Sequence, residues 1–263
     1  MIKRQANDGL HVMVEGIDGS GKSTVLKACR EWAEERGATF FDVVSFMEQE
    51  QRLPNTADLG GANGLLCAEP TFCWIGRAIR EEIIAKYLAD SVSGEIVEPR
   101  YSGWETAQAF ALDRLVLFRR LIIPFLRNHP ERIIFQDRGL GSSLAYQPLQ
   151  DTSLSTERLL ELPGNAQTVA FNPTLLLLIR TEAAAAMARL AQRTDKQDEV
   201  IFEEPDFQTK LVQRFLSDDV LGPFKQAGTM ISEIDGNQNI EQVAKEVKSA
   251  LSQKLDFFAR MKA

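Results

Sequence analysis

Residues 15–24 read EGIDGSGKST. Four of them satisfy the spacing G-x-x-x-x-G-K-[ST]: Gly16, Gly21, Lys22 and Ser23. A strand-like run, HVMVEG, precedes the stretch, and an amphipathic helical pattern, KSTVLKACREWAEERG, follows it. At such a junction glycines let backbone N–H groups point at phosphate oxygens, and the helix N-terminus adds a positive dipole end. The stretch therefore predicts a loop that grips the phosphates of a nucleotide.

The side chains of this loop suggest separate roles. We expect the nucleotide phosphates to contact Gly16, Asp18, Gly19, Ser20, Gly21, Lys22, Ser23 and Thr24. Lys22 would reach the β and γ phosphates, and Ser23 would ligate Mg²⁺. Asp18 is less generic, because a carboxylate repels phosphates unless it faces Mg²⁺, a bound water or a hydroxyl of a second substrate. Its presence indicates a small-molecule acceptor close to the donor nucleotide.

The rest of the chain alternates strand and helix patterns, as a parallel sheet with crossover helices requires. The five strand patterns are HVMVEG, TFFDVV, RIIFQ, TLLLLIR and TMISEID. Long helical patterns cover residues 75–89, 105–128, 207–220 and 240–261. A polar, glycine-rich segment runs from Met47 to Gly64, and a loop-rich region extends to Asn172. Since no repeat or composition shift marks a second domain, we expect one α/β domain over residues 1–263. Its sheet would be doubly wound, parallel and five-stranded, with helices on both faces.

Composition narrows the choice of partners and compartment. The formal net charge of -7 over 263 residues argues against nucleic acid, because a protein that coats a polyanion is expected to be basic. No apolar run is long enough to span a membrane. The three cysteines are odd in number and lack the paired spacing of a zinc site. These features favour a cytoplasmic protein.

The end of the strand RIIFQ separates three kinds of phosphate-binding protein. A GTPase switch is expected to carry Asn-Lys-x-Asp, which the sequence lacks, and a motor ATPase is expected to end a strand in Asp-Glu. Here the strand ends in Asp137-Arg138. Asp137 can hold metal-bound water, and Arg138 can fork onto the phosphate of an acceptor. The pair favours phosphoryl transfer between two anions, which needs positive charge over both.

Four stretches, in order along the chain, resemble the thymidylate kinase family, in the nucleoside monophosphate kinase group of P-loop NTPases. They are EGIDGSGKST, EPTFCWIGRAIRE from Glu69, FALDR at 110–114 and DRGLGSSLAYQ at 137–147. Looser similarity in PTLLLLIRT and EIDGNQNIEQVAKEV extends the resemblance to most of the chain. The resemblance implies a P-loop NTPase fold, ATP and Mg²⁺ as cofactors, and a homodimer. It also implies transfer of the γ-phosphoryl group to a deoxynucleoside monophosphate, with dTMP as the first choice.

The resemblance also implies an acceptor site. Phe110 and Arg114 are four apart on a helix and so share a face; they match positions where Phe stacks on thymine and Arg hydrogen-bonds the base. Ser143 and Tyr146 match positions that touch the base and crowd the 2′ side of the sugar. The full set of expected substrate contacts is Glu69, Pro70, Arg77, Phe110, Arg114, Arg138, Ser143, Tyr146 and Gln147. Two alternatives stay open: Gln147 as a surface amide, and Arg80 instead of Arg77 beside the acceptor phosphate.

A lid is expected over about residues 189–205. In one subgroup of the family the phosphate loop lacks an arginine and the lid supplies it to the transferring group. The loop here has none, so the resemblance assigns that role to Arg189 and Arg193, four apart on one helix face. The expected catalytic residues are Lys22, Asp18, Arg138, Arg189 and Arg193, and the expected metal ligands are Ser23 and Asp137.

Departures from the family pattern keep other functions open. Ala68 stands before Glu69-Pro70 where many members have Arg, and Gly139 replaces a common aromatic residue. Extra residues appear at roughly 46–66, 90–103 and 148–168. The acceptor could therefore be another deoxynucleotide, or a deoxynucleoside with Glu69 as base for its 5′-hydroxyl. A catalytically dead nucleotide-binding module is the alternative outside enzymes.

Overall fold

A six-stranded parallel sheet forms the centre of the protein, in the order β2-β3-β4-β1-β5-β6. The computed structural model describes residues 1–84, 101–192 and 205–255. The strands are β1 (Leu10–Glu15), β2 (Phe40–Asp42), β3 (Gly64–Ala68), β4 (Ile133–Asp137), β5 (Leu175–Arg180) and β6 (Met230–Asp235). The expected α/β class with a parallel, helix-flanked sheet is confirmed, but the expected number of five strands was wrong.

The strand that the sequence did not reveal is β3. Its five residues, GLLCA, follow a glycine-rich stretch and are too short for a periodicity to distinguish strand from helix. In the structure β3 pairs with both β2 and β4, so it lies inside the sheet and not at its edge. The predicted polar segment from Met47 to Gly64 likewise overlaps the end of a helix that begins at Val43.

Twelve α-helices and two π-helical turns surround the sheet in the described residues. The helices are α1 (Lys22–Glu34), α2 (Val43–Glu50), α3 (Trp74–Ala78), α4 (Gly103–Leu117), α5 (Ile123–Leu126), α6 (Leu140–Gln150), α7 (Thr156–Leu160), α8 (Pro163–Ala170), α9 (Ala183–Ala191), α10 (Pro205–Phe215), α11 (Asp218–Gln226) and α12 (Ile240–Lys254). The π-helical turns are Ile79–Ile83 and Phe118–Ile122. None of the helices in the described ranges is long and apolar enough to cross a membrane.

Several predicted helices are divided. The pattern at 105–128 is α4, a π-helical turn and α5, and the pattern at 207–220 is interrupted between α10 and α11. The region predicted to be loop-rich contains two short helices. The first, α7, begins directly after the capping residue Ser155, and the second, α8, begins at Pro163. Of the pattern at 75–89, only the part up to Ile84 lies within the described residues.

Alternation along the strands divides the core between the two faces of the sheet. On one face Val12 and Val14 pack with Trp32 of α1 and Val247 of α12. On the other face Met13 packs with α6, α10 and α11. In the sheet β1 lies between β4 and β5, and the strand order reverses direction at β1. A ligand crevice is expected at the carboxyl ends of the strands where the order reverses.

Candidate active site

The phosphate loop occupies that crevice, between β1 and α1. Gly19 and Gly21 have φ angles of 75° and 98°, a region that favours glycine. A Cβ at Gly19 would lie 2.3 Å from the carbonyl oxygen of Ala186, so the loop packs tightly against α9. The side chain of Ser20 is buried, Ser23 is exposed and Thr24 is half-buried. The loop thus has the position and the backbone conformation that its sequence predicts.

Lys22 carries positive charge into the loop. Its Nζ donates to the carbonyl oxygens of Ile17, at 2.8 Å, and Gly16, at 3.2 Å. Burial and the nearby Arg138 lower the Lys22 pKa to about 8, against the opposing effect of surrounding carboxylates. An anion at the mouth of the loop would stabilise the charged form of this side chain.

Asp18, Arg138 and Tyr146 form a polar cluster beside the loop. Arg138 forms an ion pair with Asp18, and the Tyr146 hydroxyl donates to the second Asp18 oxygen at 2.9 Å. Burial opposes ionisation of Asp18, but the charges of Arg138 and Lys22 outweigh it and lower the pKa to about 2. Arg138 also donates to the Gly16 carbonyl at 3.3 Å and to the Ser142 hydroxyl at 3.2 Å. The loop and the first turn of α6 are therefore joined by one guanidinium group.

Glu15, which sequence reasoning missed, fixes the start of α6. It is fully buried and accepts from the backbone N–H of Ser142 at 3.0 Å and from its hydroxyl at 2.7 Å. Burial raises the Glu15 pKa, while the Ser142 hydrogen bonds and Arg138 oppose that rise. Arg138 contacts the same Ser142, so Glu15 holds in place one of the hydrogen-bond partners of Arg138.

A second cluster lies around Glu69 and Arg114. Both side chains are almost completely buried, and Arg114 Nε donates to Glu69 Oε2 at 2.7 Å. Arg114 also donates to Ser143 Oγ at 2.9 Å and to the Asn165 side chain. Burial raises the Glu69 pKa to about 7, although Arg114 acts in the opposite sense. The structure thus brings Glu69, Arg114 and Ser143 together, and it holds the guanidinium plane of Arg114 from three sides.

Two further predicted substrate contacts lie near this cluster. Phe110 lies one helical turn before Arg114 on α4 and is half-buried. Gln147 is buried, so it is not the surface amide that the sequence left open; its Nε2 donates to Ser143 Oγ at 3.4 Å. Its buried Oε1 has no hydrogen-bond partner among the described residues. An acceptor atom of this kind is available to a polar ligand.

Gln136 connects the two clusters. Its side-chain Nε2 donates to Glu69 Oε1 at 2.9 Å and to the Arg138 carbonyl at 2.8 Å. Its Oε1 lies 2.9 Å from Nε2 of His11, and both residues are fully buried. A continuous set of hydrogen bonds therefore runs from β1 through β4 to both clusters.

Arg77 and Arg80 occupy different environments. Arg80 donates to the carbonyl oxygens of Pro70 and Thr71 and lies over the Phe72 ring at 3.7 Å. Arg77 is exposed and pairs with Glu81 at 2.7 Å. Arg80 thus supports the backbone of the segment after Glu69, whereas Arg77 lies on the surface. Contact of either residue with substrate stays a prediction.

The lid prediction is only partly within the described residues. Arg189 donates to the Gly236 carbonyl at 2.8 Å, and another nitrogen of its guanidinium lies 4.0 Å from where a Cβ on Gly21 would be. This places its charge beside the phosphate loop. Arg193, like most of the segment 189–205, lies outside the described residues.

The predicted metal ligands fit Mg²⁺ in their chemistry. Asp137 lies at the end of β4, and its buried Oδ1 has no hydrogen-bond partner in the part of the chain that the structure describes. Ser23 presents a hydroxyl in the first turn of α1. The described residues contain no group of three or more His, Cys, Asp or Glu side chains that could hold a metal ion. The arrangement suits a cation that takes much of its coordination from phosphate and water, as Mg²⁺ does.

Sequence reasoning missed the buried polar residues that support the site. Gln136 follows three apolar residues in the buried part of β4, and Glu15 ends the mostly apolar strand β1. A polar residue in an otherwise apolar strand pattern could have indicated a supporting role, because a buried polar group needs a hydrogen-bond partner. Asn165 carries no such signal, because it lies in a region predicted to be loop-rich.

The sequence is similar to one family of known proteins. A family model described as thymidylate kinase matches residues 49–247. The probable thymidylate kinase of Pyrococcus abyssi (strain GE5 / Orsay) is 32% identical over 185 residues, which cover 70% of this chain and 71% of that protein. The probable thymidylate kinase of Thermococcus onnurineus (strain NA1) is 30% identical over 211 residues, covering 78% and 85%. The thymidylate kinase of Trichodesmium erythraeum (strain IMS101) is 24% identical over 248 residues, covering 94% and 96%.

Proposed function

The chain belongs to the thymidylate kinase family, and we propose that it transfers the γ-phosphoryl group of ATP to dTMP, giving ADP and dTDP. The observation that carries the proposal is the position of Arg138. This side chain contacts Asp18 and the Gly16 carbonyl on the loop side, and Ser142 on the α6 side. A cation there lies between the loop that binds the donor and the helix that carries the predicted acceptor contacts.

Charge stabilisation and positioning account for the chemistry. The attacking atom is an oxygen of the dTMP phosphate, which is already ionised, so no general base is required. Lys22 would neutralise the β and γ phosphates, Arg138 would orient the acceptor phosphate, and Arg189 would bring a further charge to the transferring group. With both anions held, the reaction becomes a displacement within one complex.

Mg²⁺ would be held by Ser23 and Asp137, and it would supply charge compensation on the ATP phosphates. Asp18 would have a structural role distinct from metal binding. It anchors Arg138 and receives the Tyr146 hydroxyl, and so it fixes the distance between the phosphate loop and α6.

The second cluster would recognise thymine. Arg114 presents a guanidinium that three partners hold rigidly, Phe110 offers a half-buried ring for stacking, and Gln147 offers an acceptor oxygen. A planar donor beside an aromatic ring suits a pyrimidine with exocyclic oxygens. Tyr146, which is held beside Asp18, would crowd the 2′ position of the sugar.

Three further properties belong to the proposal. The family resemblance supports a homodimer, the negative net charge and the cysteine pattern support a cytoplasmic enzyme without a nucleic-acid partner, and the lack of a repeat or composition shift supports one catalytic domain over residues 1–263. Sedimentation analysis of the purified protein tests the dimer. A monomeric mass at all concentrations would refute it.

A coupled assay of ADP release tests the activity. The enzyme is compared on dTMP, dUMP, dCMP, dGMP, dAMP, UMP and thymidine, with ATP and Mg²⁺. We expect kcat/KM to be highest for dTMP. Faster turnover of thymidine would indicate a deoxynucleoside kinase, and nucleotide binding without transfer to any acceptor would indicate a binding module.

A further inference from the structure

We propose that Gln136 is a positioning residue that holds Arg138 and Glu69 in one geometry, so that the phosphate-binding and base-binding halves of the acceptor site act together. The inference rests on the proposed function, because it concerns how that acceptor is held. Gln136 lies at the carboxyl end of β4 and is fully buried. Neither the sequence motifs nor the proposed chemistry assigns it a role.

The partners of Gln136 fix the orientation of its amide. Its Nε2 lies 2.9 Å from a Glu69 carboxylate oxygen and 2.8 Å from the Arg138 carbonyl oxygen. The Arg138 carbonyl can only accept, and Glu69 Oε1 accepts as part of the carboxylate that pairs with Arg114, so the NH₂ group must face both and both of its hydrogens are used. A flipped amide would set oxygen against oxygen at two points.

The hydrogen bond to the Arg138 carbonyl stabilises an unusual backbone conformation. Arg138 has a φ of 62°, a region that residues other than glycine rarely occupy. Its backbone N–H donates to Val14 and its carbonyl accepts from Gln136. The peptide groups on both sides of the strained residue are therefore held, and this conformation directs the guanidinium toward Asp18.

The hydrogen bond from Gln136 to Glu69 sets the rotation of the Glu69 carboxylate. One carboxylate oxygen accepts from Gln136 and the other accepts from Arg114 at 2.7 Å. If the bond to Gln136 is lost, the carboxylate can rotate about its side-chain bonds, and Arg114 must follow it or lose its partner. The base-binding guanidinium thus depends on an amide that never touches the base.

His11 contacts the side-chain oxygen of Gln136. Because Gln136 Oε1 can only accept, His11 must carry its proton on Nε2. Burial and the nearby Arg4 lower the His11 pKa to about 3, so the ring is neutral at physiological pH. His11 therefore acts as a fixed donor that keeps the Gln136 amide from flipping.

The substitution Gln136→Met tests the inference, since it keeps the side-chain length and removes all three hydrogen bonds. We expect kcat/KM for dTMP to fall by about 10- to 100-fold, because small displacements of reacting groups are costly. The KM for ATP should stay within about twofold, since the Gln136 side chain itself makes no hydrogen bond to the loop at 16–24. Calorimetric binding of dTMP gives a second readout, and we expect it to weaken.

Gln167→Met is the matched control. Gln167 is also buried. Its side-chain oxygen accepts from the Ile2 N–H at 3.1 Å, and its side-chain nitrogen donates to the Ile2 carbonyl at 2.7 Å, so these hydrogen bonds involve no residue of the candidate site. The Gln167→Met variant should lose thermal stability without a change in kcat or in the KM for ATP or dTMP. If Gln136→Met behaves like this control, or weakens ATP and dTMP equally, the inference is overturned.

A second variant tests the orientation of the amide, and circular dichroism checks that each variant is folded. Gln136→Glu keeps the acceptor for His11 but sets a carboxylate against Glu69, so its loss on dTMP should be greater than that of the Met variant. An equal or smaller loss would contradict the proposed orientation. If the wild type transfers phosphate to dTMP and the variants are unimpaired, only the inference fails. If the wild type neither binds nor phosphorylates dTMP, the proposed function fails with it.

Discussion

Asp18→Asn should destabilise the folded protein by about 1–2 kcal/mol at neutral pH, because it removes the carboxylate that Arg138 and Tyr146 share. The figure follows from the pKa of Asp18, which falls from its usual 3.8 to about 2 in the folded protein. That difference corresponds to about 2 kcal/mol of stability when the group is ionised. The asparagine carbonyl can still accept one hydrogen bond, and this recovers part of the loss.

The pH dependence of the effect has a definite sign. The folded pKa lies below the unfolded one, so Asp18 stabilises the protein above its unfolded pKa, and the contribution disappears as the pH falls through the folded value. The stability difference between wild type and Asp18→Asn should therefore be constant above about pH 5 and should shrink between about pH 4 and pH 2.

Urea denaturation at a series of pH values measures this difference. Asp219→Asn is the control, because Asp219 pairs with Arg214 at 3.2 Å but is 62% exposed, and an exposed pair contributes little. The kcat of Asp18→Asn should also fall, since Arg138 loses its main anchor. The reasoning is refuted if both variants lose the same stability, or if the Asp18 difference stays constant down to pH 3.

Three other substitutions give expected outcomes. Lys22→Ala should reduce kcat by about 100- to 1000-fold with an unchanged circular dichroism spectrum, since it removes one preorganised cation; near-normal turnover would contradict its role in the loop. Arg114→Lys keeps the charge but loses the planar fork, so the KM for dTMP should rise at least about tenfold more than the KM for ATP in steady-state kinetics; equal increases would place the base pocket elsewhere. Gly164→Ala should lower stability in thermal melts by about 1–3 kcal/mol or prevent folding, because its Cβ would lie 1.8 Å from the Ala111 carbonyl oxygen. Gly222→Ala, whose nearest neighbour would be 4.0 Å away, should be neutral or stabilising, and the same loss in both would contradict the close contact of α4 with α8.

The sequence predicted the parts of the fold whose signals are local. The loop at 16–21 was located because the motif, the strand before it and the helix after it all agree. By contrast, β3 was missed because five apolar residues beside glycines carry no period. The interruption between α10 and α11 was missed because one amphipathic pattern continues across it.

The candidate site likewise contains motif residues that the sequence predicted and supporting residues that it did not. The motif residues Arg138 and Tyr146 converge on Asp18 as residues of one crevice should. The order of motifs could not reveal that Arg114 is enclosed by Glu69 and Asn165, because that contact depends on the packing of α8 against α4. Supporting residues of this kind are set by tertiary structure, so no local pattern of the sequence predicts them.

The place of β1 in the sheet has a consequence for synthesis on the ribosome. This strand emerges well before its hydrogen-bonding neighbours, β4 and β5, which begin at Ile133 and Leu175. All six residues of β1 are buried in the folded protein, so the nascent chain carries an incompletely paired, mostly apolar strand until residue 180 has left the exit tunnel. We expect the fold to close late and in a single step around β1, and chains truncated before Leu175 to be recovered as aggregates or bound to chaperones.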